Sequence, residues 1–276
     1  MVSATDKLRQ RQQQTRSRLC IGLDPDERLL PAPLRREAQP WKRFLQDIVA
    51  ATLPFACAYK LNLTFYEQFG ASGWLLVEEV LAAIPSDVCV IADGKRNDVP
   101  HTAEIAARTF FERLGVDAIT VNPLLGADSV APFLAYAGKL VFVLVWTSNP
   151  GARDFLALPC AHGQPLSVHL VTSALRWSRQ AELGFVVGAT LPEEFARLRH
   201  HAPQAWILAP GIGAQGGDSD ALLAANGAAP LLVNVGRSIL YASRGSDFAE
   251  AAARAAAEFA RRLGFPTEER SDAGAS

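Results

Sequence analysis

The sequence predicts an α/β protein with the architecture of a single-domain (β/α)8 TIM barrel. Short apolar segments of strand length alternate along the chain with segments of helical length, which is typical of parallel βαβ units. Eight such apolar segments occur, and they are nearly continuous in hydrophobicity, as expected of strands buried on both faces. The length of 276 residues suits one barrel. We expect a barrel domain with an N-terminal helix over residues 1–264 and a flexible C-terminal tail over residues 265–276.

The predicted strands are separated by intervals long enough for helices. They cover residues 19–23, 58–63, 88–92, 117–121, 140–145, 185–188, 206–209 and 231–235. After the sixth strand, Thr190 and Glu193 have the spacing of a capping box, and basic residues end the helix that would follow. The alanine-rich segment from Asp247 to Leu263 predicts the last helix.

The composition restricts the partners of the chain. A net charge of -1 gives no overall field that would attract nucleic acid or an anionic membrane surface. The longest apolar run, residues 140–146, is too short to span a bilayer. Any anion must therefore be recognised locally by a few donors, and we expect a small-molecule anion as the partner.

The cysteines and the N-terminal segment predict a cytoplasmic protein. The four cysteines are widely spaced without a Cys-x-x-Cys pair, and Cys20, Cys57 and Cys89 lie in apolar contexts, as expected of small core residues in a reducing compartment. Residues 1–18 are polar and contain no apolar stretch of signal-peptide length.

The third predicted strand ends in alternating charges. Asp93 and Lys95 are two positions apart and therefore share one face of the strand, with Asp98 and Thr102 on the loop beyond. Lys60 lies inside the second predicted strand, where an unpaired ammonium group would be costly. These side chains can form a row of alternating sign. A structural ion pair at a strand end is the alternative interpretation.

Polar residues also follow the other predicted strands, as the active site of a barrel requires. They include Asp24 after the first strand, Asn62 in the second and Ser148 after the fifth. The last two strands lead into glycine-rich segments at residues 210–218 and 234–238. Their backbone N–H groups, together with the guanidinium group of Arg237, suit a phosphate monoester. Ordinary turns with a surface arginine are the alternative.

Two cofactor sites are disfavoured by the sequence. Residues 211–216 satisfy the pattern G-x-G-x-x-G, but they follow the seventh strand, and no acidic residue follows at the distance that would hold a ribose. Asp93 and Asp98 could bind Mg²⁺, but Lys60 and Lys95 would already neutralise them, and the histidines lack metal-ligand spacing. The sequence therefore favours neither a dinucleotide nor a metal ion at these positions.

Several motifs together resemble the orotidine 5'-phosphate decarboxylase family, in particular its bacterial type 2 branch. The resemblance covers roughly residues 15–264. The motifs are Gly-Leu-Asp-Pro-Asp at 22–26, Tyr-Lys-Leu-Asn-Leu-Thr-Phe-Tyr-Glu-Gln-Phe-Gly at 59–70, Asp-Gly-Lys-Arg-Asn-Asp at 93–98, Val-Asn-Pro-Leu-Leu-Gly at 121–126, Thr-Ser-Asn-Pro-Gly at 147–151 and Gly-Arg-Ser-Ile at 236–239.

The resemblance implies cofactor-independent decarboxylation of orotidine 5'-monophosphate to UMP in pyrimidine biosynthesis. Four residues match the catalytic Lys-Asp-Lys-Asp tetrad of the family, and Lys95 would protonate the C6 carbanion: the tetrad is Lys60, Asp93, Lys95 and Asp98. The family also implies a homodimer in which Asp98 and Thr102 reach the neighbouring site. Among the remaining matches, Asp24 would contact the ribose and Ser148 the pyrimidine, whereas Gln215, Gly236 and Arg237 would hold the phosphate.

Two other functions remain open at this point. A related barrel enzyme with the same Asp-x-Lys-x-x-Asp spacing would act on a sugar phosphate with Mg²⁺, and EDTA would inhibit it. A catalytically silent nucleotide-binding protein would bind UMP without releasing CO₂, although a binding protein has no need for Lys95 beside Asp93.

Overall fold

The computed structural model describes residues 2–160, 163–214 and 216–265. In these residues, eight parallel strands close into a barrel in the order in which they occur in the chain, which confirms the predicted (β/α)8 fold. The strands are β1 (Leu19–Gly22), β2 (Ala58–Asn62), β3 (Cys89–Arg96), β4 (Ala118–Val121), β5 (Leu140–Trp146), β6 (Glu182–Val187), β7 (Trp206–Pro210) and β8 (Leu231–Val235).

Helices surround the barrel and close one end of it. They are α1 (Ala4–Thr15), α2 (Pro40–Thr52), α3 (Thr64–Glu67), α4 (Ala71–Ala83), α5 (Pro100–Arg108), α6 (Ala127–Leu134), α7 (Ala152–Phe155), α8 (Leu166–Ala174), α9 (Pro192–His201), α10 (Ser219–Asn226), α11 (Arg237–Leu240) and α12 (Phe248–Arg262). Short 3-10 helices cover Glu27–Leu29 and Ala32–Arg36, and a π-helical turn over Thr109–Arg113 continues α5. Across the described ranges, no helix combines the length and the apolar character needed to cross a membrane.

The apolar side chains form two layers because each strand is buried on both faces. One layer fills the barrel, with Phe142 and Leu208 among its members, and the other lies between the strands and the helices. Cys20, Cys57 and Cys89 are buried without disulfide bonds, which confirms their prediction as core residues.

Helix α1 covers the amino-terminal end of the barrel. Its Leu8 is fully buried in the interior layer. Lys7 Nζ lies 2.7 Å from Asp117 Oδ1 at the start of β4, and Gln12 Nε2 donates to the carbonyl of Leu231 in β8 at 2.7 Å. This end of the barrel is therefore closed, and the carboxyl end remains available for a site.

The helix after β6 begins differently from the prediction. The N-cap of α9 is Leu191, and no side chain caps it. The capping box is wrong because the hydroxyl of Thr190 donates to the carbonyl of Ser148 at 3.2 Å instead. The last predicted helix is confirmed as α12 (Phe248–Arg262). Residues 266–276, most of the predicted tail, lie outside the described residues.

Candidate active site

The carboxyl ends of the strands surround a cavity of about 460 Å³. Apolar side chains from β5 to β7, such as Leu144, Val186 and Leu208, form part of its wall. Eight residues that the sequence analysis singled out also line it: Asp24, Lys60, Asn62, Asp93, Lys95, Ser148, Gly236 and Arg237. Predicted site residues from the ends of five strands, β1, β2, β3, β5 and β8, are thus brought together in one site.

Strand β3 carries its charged residues in a bulge. The predicted strand stopped at residue 92, but β3 continues to Arg96 with a change of register against β4. Ala92 pairs with Ile119 and Arg96 pairs with Val121, so that three residues of β3 face Thr120 alone. Lys95, within this bulge, has a φ of 45°, a left-handed conformation that is costly for a residue other than glycine. The bulge turns the Lys95 side chain toward the cavity.

Asp93 lies at the centre of the charged row. Its Oδ2 accepts a hydrogen bond from Lys60 Nζ at 2.9 Å, and its Oδ1 accepts one from Lys95 Nζ at 2.7 Å. Thr120 Oγ1 also donates to Asp93 Oδ1 at 2.8 Å. Asp93 and Lys60 are buried, whereas the Lys95 side chain is 41% exposed toward the cavity. The exposed end of the row therefore belongs to Lys95, the group that can meet a substrate.

The charges in this row stabilise one another. Burial alone would raise the pKa of Asp93, but Lys60 and Lys95 outweigh burial and hold that pKa well below its usual value. Burial likewise opposes the charge of Lys60, yet Asp24 and Asp93 raise the pKa of this lysine above its usual value. Both groups are consequently ionised at neutral pH.

Asp24 approaches the row from β1. Its Oδ1 is 3.9 Å from Lys60 Nζ and accepts a hydrogen bond from the backbone N–H of Asn62 at 3.2 Å. Burial, as the largest cause, raises the pKa of Asp24 despite the nearby Lys60. The phenol of Tyr241 donates to the Asp24 carbonyl at 3.0 Å, and that of Tyr66 donates to the Leu23 carbonyl at 2.7 Å. These contacts fix the loop that carries Asp24.

The opposite side of the cavity suits an anion. Gly211 and Gly213 in the loop after β7 have φ values of 115° and 87°, which glycine adopts without strain. Gly236 and Arg237 begin α11 after β8, and the exposed Arg237 forms no ion pair with any residue that the structure describes. Gln215, predicted as a phosphate contact, lies outside the described residues.

Two predicted site residues do not line this cavity. Asp98 is exposed in the loop after β3, and its Oδ1 accepts a hydrogen bond from the backbone N–H of Val99 at 2.8 Å. Thr102 was expected on the same loop, but it is exposed in the first turn of α5 because the helix already begins at Pro100. In this single chain they stand apart from the Lys60–Asp93–Lys95 row.

Several residues that the sequence analysis did not single out line the cavity. Phe65 follows β2, Asn234 lies in β8, and Thr120 lies in β4. Thr120 carried a usable signal, because it is a hydroxyl residue near the carboxyl end of an apolar strand. Its contact with Asp93 could not be found from the sequence, since it depends on the bulge in β3.

The residues around Asp93 do not resemble a metal centre. Among the residues that the structure describes, no group of three or more histidine, cysteine, aspartate or glutamate side chains could hold a metal ion. Both carboxylate oxygens of Asp93 already accept hydrogen bonds from ammonium groups. The arrangement instead presents a charged amine, held beside a carboxylate, to an enclosed and partly apolar space.

Comparisons with known proteins give a consistent result. Residues 17–255 match the model of the orotidine 5'-phosphate decarboxylase / HUMPS family. The chain is 47% identical over 245 residues to the orotidine 5'-phosphate decarboxylase of Herpetosiphon aurantiacus, covering 88% of this chain and 91% of that protein. The structure of Leishmania donovani OMP decarboxylase superposes with a TM-score of 0.81 at 35% identity, covering 95% of this chain and 99% of the other. For Methanocaldococcus jannaschii orotidine 5'-monophosphate decarboxylase complexed with the inhibitor BMP, the TM-score is 0.64 at 25% identity, covering 89% and 97%.

Proposed function

The chain belongs to the orotidine 5'-phosphate decarboxylase / HUMPS family, and from this membership we infer that it decarboxylates orotidine 5'-monophosphate to UMP in pyrimidine biosynthesis. The observation that carries the proposal beyond the family is the Lys60–Asp93–Lys95 row at the cavity. A lysine exposed to the cavity is there held by a buried carboxylate, an arrangement that a silent nucleotide-binding protein does not need.

The reaction breaks the bond between C6 of the pyrimidine and its carboxylate carbon. The electron pair stays on C6, in the plane of the ring, where the ring π system cannot delocalise it. Carbon dioxide leaves, and a proton must reach C6 to give UMP. The site therefore has to stabilise a localised negative charge electrostatically.

We assign the proton to Lys95 Nζ. The ammonium group faces the cavity and is held 2.7 Å from Asp93 Oδ1. The developing carbanion is attracted to this charge and then takes its proton. Asp93 meanwhile lies where the substrate carboxylate would approach and disfavours that charge more than the neutral carbon dioxide. Lys60 keeps Asp93 ionised and in place.

We assign the remaining substrate contacts to the polar lining of the cavity. Asp24 and Asn62 would bind the ribose side, and Ser148 would bind the pyrimidine. The phosphate would be held by Arg237 and Gly236, with Gln215 from the loop after β7. Support comes from the exposed guanidinium group of Arg237 and the glycine-rich backbone on that side of the cavity.

Phosphate binding contributes to a reaction that leaves the phosphate unchanged. Enzymes typically lower activation barriers by about 8–23 kcal/mol, more than one lysine supplies. Interactions with the phosphate can hold the ring against Lys95, so that binding energy far from C6 lowers the barrier.

The first experiment follows the ultraviolet absorbance change as purified protein is mixed with orotidine 5'-monophosphate in the presence of EDTA. We expect conversion to UMP by the wild type, and loss of at least about 10²-fold in kcat for Lys95→Ala with UMP affinity retained. Inhibition by EDTA would favour the Mg²⁺-dependent reaction on sugar phosphates. Binding of UMP without conversion by the folded wild type would contradict the assignment as a decarboxylase.

We further propose a homodimer that shares its sites. The segments after β3 and β4 leave the barrel side by side, because the backbone N–H of Asn122 donates to the Arg96 carbonyl at 3.1 Å. They expose an apolar surface next to Asp98 and Thr102, formed by Val99 (58% exposed), Ile105 (46%), Leu124 (61%) and Leu125 (56%). A second copy of the chain would cover this surface and bring Asp98 and Thr102 to its partner's cavity.

Mixing two inactive variants tests the sharing of sites. A heterodimer of Lys95→Ala and Asp98→Ala subunits carries both defects in one site and neither in the other. Random exchange should therefore restore about one quarter of wild-type activity if Asp98 crosses the interface. If each subunit uses its own Asp98, mixing restores nothing. Leu124→Glu should give monomers in sedimentation experiments, and a monomeric wild type would refute the dimer.

We also propose that residues 1–264 act as one domain in the cytoplasm. The buried, unpaired thiols of Cys20, Cys57 and Cys89 support a reducing compartment, and cell fractionation tests the location.

A further inference from the structure

We propose that Thr120 is a positioning residue for the decarboxylation, holding both the backbone of Lys95 and the carboxylate of Asp93 through its single hydroxyl group. Thr120 lies in β4 with 1% of its surface exposed. The inference rests on the proposed function and concerns how the catalytic groups are kept in place.

The first contact compensates for the bulge in β3. Between the pairs Ala92–Ile119 and Arg96–Val121 the regular ladder is interrupted. The backbone N–H of Lys95 instead donates to Thr120 Oγ1 at 3.0 Å. The hydroxyl thus replaces a strand partner at the residue whose φ is 45°. Without this acceptor, a strained backbone conformation would also leave a polar group unpaired.

The second contact orients the carboxylate. Because Oγ1 accepts from Lys95, its one proton is available to Asp93 Oδ1, which lies 2.8 Å away. That oxygen also accepts from Lys95 Nζ at 2.7 Å. A closed ring therefore runs from the Lys95 backbone through Thr120 and Asp93 to the Lys95 ammonium group. The ring fixes both ends of the proposed proton donor.

This ring of hydrogen bonds holds the groups that would act in the chemical step. It surrounds the groups that would meet the C6 carboxylate and the carbanion, whereas the phosphate side of the cavity is formed by Gly236 and Arg237. Loss of the hydroxyl should therefore slow bond breaking without weakening the binding of UMP, which has no carboxylate at C6.

The test compares Thr120→Val, which has nearly the same shape without the hydroxyl, with Thr120→Ser, which keeps the hydroxyl. We expect the single-turnover rate of Thr120→Val to fall about 10- to 100-fold, because small displacements of reacting groups have effects of this size. KM and UMP affinity should change by less than about threefold, and Thr120→Ser should stay within about threefold of the wild type. Thr120→Ala replaces the valine variant if that variant does not fold.

A matched control is Thr52→Val. Thr52 is fully buried and hydrogen-bonds the Ile48 carbonyl and the Tyr59 phenol, away from the cavity. The Thr52→Val variant should have a lower melting temperature and an unchanged single-turnover rate. A normal single-turnover rate in a Thr120 variant without the hydroxyl would overturn the proposal, and so would a slow Thr120→Ser variant. The proposal would also fail if the hydroxyl-free variant lost UMP affinity by the same factor as its rate. A wild type that releases no CO₂ would refute the proposed function instead.

Discussion

Replacing Lys60 with methionine should destabilise the protein strongly as well as inactivate it. Methionine keeps most of the side-chain volume but removes the charge between two carboxylates. Lys60 Nζ lies 2.9 Å from Asp93 Oδ2 and 3.9 Å from Asp24 Oδ1. At an effective dielectric constant of ~20, these attractions amount to about 6 and about 4 kcal/mol. The desolvation of the ammonium group offsets part of this, and breaking a buried pair typically costs about 3–5 kcal/mol.

The stability lost in Lys60→Met should also change with pH in a direction that can be predicted. The pKa of Asp24 is already raised in the folded protein, so its folded state binds a proton more tightly than its unfolded state. Without Lys60 that pKa should rise further, and the stability lost in Lys60→Met should be partly regained as the pH falls from about 8 to 5. In the wild type, by contrast, the depressed pKa of Asp93 contributes stability above its unfolded pKa of about 4, which is lost only as the pH falls below that value.

The assay is urea unfolding at several pH values, with Lys42→Met as a matched control. Lys42 Nζ and Glu79 Oε1 are also 2.9 Å apart, but both side chains are about one-third exposed. A surface pair of this kind contributes about 0–1 kcal/mol. Equal losses in the two variants, or a Lys60→Met protein as stable as the wild type at pH 8, would refute the reasoning from burial.

Three further changes separate phosphate binding, backbone geometry and stability. Arg237→Ala should raise KM for orotidine 5'-monophosphate about 100-fold in steady-state assays, because a charge-assisted contact to phosphate is lost; an unchanged KM would exclude Arg237 from phosphate binding. Gly213→Ala should weaken UMP binding in titrations more than Gly216→Ala. Both glycines have a positive φ, but only the Cβ at position 213 would come within 2.7 Å of Ser238 Oγ. Similar losses of affinity in the two variants would show that backbone strain alone matters. Asp117→Asn should lower the free energy of unfolding by about 1–3 kcal/mol, because a buried carboxylate with two hydrogen bonds is lost. Its kcat should stay the same. A lower kcat would show that the amino-terminal end of the barrel affects the site.

The strands could be predicted from the sequence because their signal is local. A parallel strand buried on both faces needs an apolar run, and the runs at 58–63 and 231–235 agree with β2 and β8 to within one residue. The gathering of Asp24, Lys60 and Asp93 in one cavity followed from the same reasoning, since the carboxyl ends of parallel strands meet at one end of a barrel.

The features that could not be predicted from the sequence are hydrogen bonds between side chains and segments that are distant along the chain. Thr190 has the spacing of a helix cap, but its hydroxyl bonds the Ser148 carbonyl in the neighbouring βα segment. The role of Thr120 depends on a register change opposite it, and no local pattern in residues 93–95 indicates a bulge. A hydroxyl group can form hydrogen bonds with many kinds of partner, and only the folded structure shows which partner lies within reach.

Closure of the barrel between its first and last strands has a consequence for synthesis in the cell. Leu19 in β1 pairs with Val233 in β8, and Arg18 Nη1 donates to the Gly264 carbonyl at 2.7 Å. At about 5–20 residues per second, a ribosome needs roughly ten to forty seconds between making these two strands. Throughout that interval the edge of β1 is unpaired and can join another chain. Pairing with β8 therefore protects this edge only after nearly the whole barrel has been synthesised.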